Sequence, residues 1–99
     1  MKRVSLKVAK YLTNIDYITN NECRVYIEQD PFKSYIAPTY LEVWLWLWQE
    51  KGIQIDIDYT TRTCSIFRYA LCCKSFELSN PEEAIITAIE YLVDNDLIK

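Results

Sequence analysis

Asp56 and Asp58 are the residues whose type and spacing come nearest to chemistry. They alternate with isoleucines in Ile53-Gln54-Ile55-Asp56-Ile57-Asp58, so on a strand both carboxylates project from one face, roughly 7 Å apart. Two carboxylates at that separation can hold Mg²⁺ or work as an acid/base pair. No third ligand is identifiable, however, and acids alternating along a strand are the ordinary way of solvating its wet face. The cysteines, Cys23, Cys64, Cys72 and Cys73, offer no better site. None stands in a C-x-x-C pair, and the chain has no histidine to complete a zinc set. The lack of histidine also removes the commonest general base, and with it any Ser-His-Asp or Cys-His pair. Cys23 and Cys64 read as buried thiols. Cys72-Cys73 is a vicinal pair whose side chains diverge if the segment is extended. The single glycine, Gly52, leaves no Gly-rich phosphate cradle. No catalytic residue, metal site or cofactor is expected, and the chain reads as a non-enzyme.

The bulk properties narrow the remaining classes. A length of 99 residues suits one domain, and residues 1–99 read as a single continuous one, without repeat or linker. Apolar residues make up 51% and charged residues 25%, which is globular composition. The formal net charge is −3, whereas a duplex-DNA binder gains most of its affinity by neutralising phosphates with Lys and Arg. The densest basic cluster is Lys2, Arg3, Lys7 and Lys10, and it reads first as a solvated helix surface. No stretch approaches the ~20 apolar residues that a membrane span needs. Lys7 and Lys10 interrupt what would be the apolar region of a secretory signal. A cytoplasmic setting with reduced thiols is expected.

The elements that must position these residues follow from pattern and punctuation. A first helix is expected from Ser5 to about Thr13, with Ser5 as its cap, Val4 stapled on Ala9, and Val8, Leu12 and Ile15 along its apolar stripe. Residues 22–28 alternate, with Cys23, Val25 and Ile27 on one side. Gln29-Asp30-Pro31 reads as a turn, and Lys33 to Ile36 as a returning strand. Thr39 and Glu42 fit a capping box at the start of a second helix, which Gly52 ends in the left-handed conformation. Ile53 to Tyr59 and Thr63 to Tyr69 read as strands around Thr60-Thr61-Arg62, followed by a strand from Lys74 to Leu78. Asn80-Pro81-Glu82-Glu83 opens a third helix, whose buried face carries Ala84, Ile85, Ala88, Ile89 and Leu92. The order α-ββ-α-βββ-α implies an α+β fold, an antiparallel sheet with helices packed mainly on one face.

The loudest feature is Leu41-Glu42-Val43-Trp44-Leu45-Trp46-Leu47-Trp48. On a helical wheel Tyr40, Val43, Trp44 and Leu47 share one face. Leu41, Leu45 and Trp48 form a second stripe, with Trp44 bordering both and Glu42 and Gln49 at the polar edge. A helix apolar over most of its circumference has to be covered on more than one side.

The chain resembles short uncharacterised proteins encoded by Bacteroides-type gut bacteria and their phages and mobile elements. The matching residues are Ser5-Leu6 with Val8-Ala9 and Leu12, then Ala37-Pro38-Thr39 with Val43 and Trp46-Leu47, then Ile53 to Ile57, Glu83-Ala84 and Ala88-Ile89. They span most of the length, and the Ala-Pro-Thr…Trp-Leu element is the most specific. The resemblance implies the same α+β order and no known activity. It also implies that Trp46 and Leu47 belong to the core face, whereas the wheel sets Trp46 near the polar edge. Where this sequence has Leu41, Leu45 and Trp48, the family pattern usually has polar residues, so the second stripe is not needed for the shared fold.

The expected function is a non-catalytic protein-interaction module that self-associates, as a homodimer, through the Trp-rich helix 40–51. Its candidate interface is Leu41, Trp44, Leu45 and Trp48, and another protein partner would fit the same surface. The alternative is a nucleic-acid-associated accessory protein of a mobile element or phage, using the basic cluster.

Overall fold

The structure, a computed structural model, describes residues 2–15, 17, 24–29, 32–69, 71–77 and 80–98. The chain divides after Thr39 into two compact units. The element order is α1 (Leu6–Asn14), β1 (Arg24–Gln29), β2 (Phe32–Ala37), α2 (Tyr40–Lys51), β3 (Ile53–Asp58), β4 (Thr63–Arg68), β5 (Leu71–Glu77) and α3 (Pro81–Asp94). This is the α+β succession expected from sequence, with the strands forming two separate antiparallel sheets, β1-β2 and β3-β4-β5.

In the first unit, Ser5 caps α1 in extended conformation, its Oγ accepting the Val8 N–H at 3.4 Å. Val8, Ala9 and Leu12 are buried, one face of a helix repeating at three to four residues. Ile15 is half-buried, and Lys7 and Asn14 face out. β1 and β2 pair antiparallel with Val25 opposite Ile36 and Ile27 opposite Ser34. The helix packs on β2, and the Lys10 ammonium lies 5.7 Å from the centre of the Tyr35 ring. The segment before α1 runs beside the end of the hairpin: Val4 N–H donates to Pro38 O at 2.9 Å, and an Arg3 guanidinium N–H donates to Ala37 O at 2.8 Å. The expected turn at Asp30-Pro31 and the side chains at 24–34, and Cys23 with them, lie outside the described residues.

The second unit is a three-stranded meander with α2 and α3 on one face. Ile53, Ile55, Cys64 and Ile66 are buried between the sheet and these helices, while Gln54 and Asp56 alternate outward. Leu47, Ile89 and Leu92 complete this core, each such side chain contributing roughly 1.5–3 kcal/mol by leaving water. On β5, Phe76 meets Tyr91 of α3 edge to face, with ring centroids 5.7 Å apart.

Local chemistry sets the element ends. Gly52 takes φ +64° directly after α2, and a Cβ there would stand 3.3 Å from the Tyr69 ring. Asp58 closes β3 by accepting the Thr60 and Thr61 N–H groups at 2.9 and 3.2 Å. The strand therefore stops one residue before the expected Tyr59. Asn80 caps α3 through Oδ1, which accepts the Glu82 and Glu83 N–H groups at 2.9 and 3.3 Å, with Pro81 next in the chain. α3 ends in a Schellman arrangement without glycine: Asp96 has φ 53°, its N–H donates to Val93 O, and Leu97 N–H donates to Leu92 O.

Candidate functional site

α2 is apolar nearly all round, and the second unit covers only part of it. Tyr40, Val43 and Leu47, spaced three and four apart, are buried. The Tyr40 hydroxyl donates to Glu90 Oε1 at 3.2 Å, tying the start of α2 to α3. On another side of the helix Leu41 is 41% exposed, Leu45 48% and Trp48 60%. These occupy positions i, i+4 and i+7, so they form one continuous stripe. Trp44 is half-buried at the border of both faces, and its indole Nε1–H donates to Ile55 O at 3.2 Å. That carbonyl belongs to β3, an edge strand of its sheet, so Trp44 occupies one acceptor that the edge would otherwise present to water. Trp46 is half-buried, with the Lys51 ammonium 5.6 Å from its ring centre. It thus lies between the two sequence expectations: neither sealed in the core nor at an open polar edge.

Beside the stripe, where α2 meets β3, lies a groove of about 290 Å³ lined by Trp44, Leu45, Trp48, Gln54, Ile55 and Asp56. Three of the four candidate interface residues line it, and Leu41 does not. No pattern in the sequence marks this groove, because Gln54 and Asp56 read as solvated positions of a strand.

The two aspartates have separate local roles. Asp56 Oδ1 accepts the Gln54 side-chain amide at 2.7 Å. Asp58 holds the β3-β4 turn, and the N–H of Thr61, then that of Thr60, keeps its carboxyl below the ordinary carboxylate range. Among the described residues no three metal-ligating side chains converge.

Cys64 is a buried thiol whose S–H points toward Ala84 O at 3.9 Å. Burial, and secondarily the negative charge of Asp56, raises its pKa. Cys72 and Cys73 are exposed free thiols on β5. The register shifts there, with Phe67 opposite Cys72 but Ile66 opposite Lys74, so the simple alternation assumed for this pair does not hold. In the basic cluster, Arg3 donates to Ala37 O and Lys10 lies over Tyr35. No helix among the described residues is long and apolar enough to cross a membrane. Compared with known proteins, the chain matches no family model, no curated protein and no solved structure.

Proposed function

We propose that the chain is a non-catalytic interaction module that pairs with a second copy of itself through α2. The observation that carries this reading is the exposed stripe Leu41, Leu45 and Trp48, bordered by Trp44. Three large apolar side chains in register on one helix form a patch of the kind that marks association sites. A two-fold contact covers the same stripe on both copies at once, and Trp is favoured at the energetic centre of interfaces. The basic cluster supports a nucleic-acid role less well, since Arg3 and Lys10 already serve local contacts in the first unit. The same reading sets the protein in the cytoplasm, where the exposed thiols Cys72 and Cys73 stay reduced. Sedimentation equilibrium over a wide concentration range tests the proposal. A reversible approach to twice the monomer mass is expected, and a chain that stays monomeric at the highest concentration overturns it.

A further inference from the structure

We infer that the groove between α2 and β3 is a binding site for an alkylated ammonium group. Its apolar part comes from Trp44, Leu45 and Trp48, with the buried Ile55 beneath. The two indoles are four residues apart on the helix, hence neighbours on its surface. Trp44 has its only hydrogen-bond donor engaged by Ile55 O, so what it offers a ligand is its ring. The polar part is Gln54 and Asp56. The Gln54 amide takes Oδ1 of Asp56, which fixes the carboxylate and leaves its charge and Oδ2 for a ligand.

Among the described residues no cationic side chain lines this groove, and Lys51 lies over Trp46 instead. Aromatic faces and a carboxylate both favour a positive charge. Indole and leucine surface favours a cation with a methylated, weakly hydrated shell over a bare ammonium or a metal ion. At about 290 Å³ the site is at the small end of ligand pockets, which suits a headgroup rather than a large metabolite.

This inference does not depend on self-pairing. Trp44, Leu45 and Trp48 are common to both surfaces, so ligand and second copy would compete for them. The test is a ligand-observed NMR titration with choline, at a dilution where scattering shows monomer only. A parallel titration uses the carbon isostere, in which a tert-butyl group replaces the trimethylammonium. Choline is expected to bind in the millimolar range with its N-methyl resonance shifted upfield by ring stacking. The isostere should bind about tenfold more weakly. Asp56→Asn, which keeps an acceptor for Gln54, should weaken choline several-fold and leave the isostere unchanged. Trp48→Leu should reduce the upfield shift, leaving the part due to Trp44. Equal binding of the isostere, no choline binding at tens of millimolar, or an unaltered shift in Trp48→Leu overturns the inference. None of these outcomes bears on the sedimentation result, so the two readings fail separately.

Discussion

Trp48→Glu is the substitution that most sharply separates a pairing surface from a monomer surface. Trp48 is 60% exposed. Covering the remainder at a two-fold contact returns about that share of the ~3 kcal/mol gained by fully burying a large apolar side chain, so about 2 kcal/mol per copy. A symmetric pair contains the residue twice, and the change removes about 4 kcal/mol, several-hundredfold in Kd. Two carboxylates placed in an apolar contact make that figure a lower bound. Leu41 and Leu45, 41% and 48% exposed, add about 1 kcal/mol each per copy by the same reckoning. The whole stripe then supplies about 8 kcal/mol, against an association cost of ~4–15 kcal/mol. The wild-type dimer is therefore expected to be weak and visible only in a concentration series.

The monomer should stay folded, losing only the share of Trp48 that it already covers, about 1 kcal/mol. A glutamate in the last turn of α2 opposes the helix dipole by about 0.3–1 kcal/mol, so Trp48→Gln serves as the neutral control. Light scattering and circular-dichroism melts on all three proteins decide the matter. Expected are a concentration-dependent wild type and two monomeric variants that stay folded at high dilution, melting several degrees lower. A variant that unfolds at dilution would show that Trp48 is packed within the monomer and is no part of a pairing surface.

Three further outcomes follow from local geometry. Asn80→Ala removes the acceptor for the Glu82 and Glu83 N–H groups and should cost about 1 kcal/mol, a fall in Tm of roughly 4–8 °C for a chain of this size; an unchanged melt contradicts the cap. The Asp58 carboxyl lies below its ordinary value because Thr61 and Thr60 N–H groups bind the charged form. Its contribution is therefore complete at neutral pH and is lost as pH falls through the carboxylate range to the lowered folded value. Asp58→Asn, which can still accept those bonds, should show a shallower acid decline in Tm, and parallel profiles would refute the assignment. Cys72 and Cys73 should alkylate promptly in the native protein, with Cys64 protected until global unfolding; mass mapping that finds Cys64 labelled early would overturn its placement.

What the sequence determined by itself was where local chemistry is decisive. Gly52 stops α2 because only glycine adopts φ +64° without steric cost. Asn80-Pro81 starts α3 because a short polar side chain can satisfy the free N–H groups of a first turn. Alternation along Ile53-Gln54-Ile55-Asp56 named the buried face of β3 because strand side chains repeat every second residue. The i, i+4, i+7 spacing placed Leu41, Leu45 and Trp48 together, and they are exposed together.

Tertiary structure alone decided the rest. β5 begins at Leu71, ahead of the expected Lys74, because a strand extends as far as its neighbour pairs with it, and the irregularity facing Ile66 and Phe67 erases the alternation that would have announced it. The strands fall into two sheets, since pairing between distant segments leaves no mark in local pattern. The groove lies where Trp44 reaches the Ile55 carbonyl, which sets residues eleven apart in the chain side by side. Periodicity can assign a side chain to a face of its own helix or strand, but which neighbour meets that face is fixed by packing.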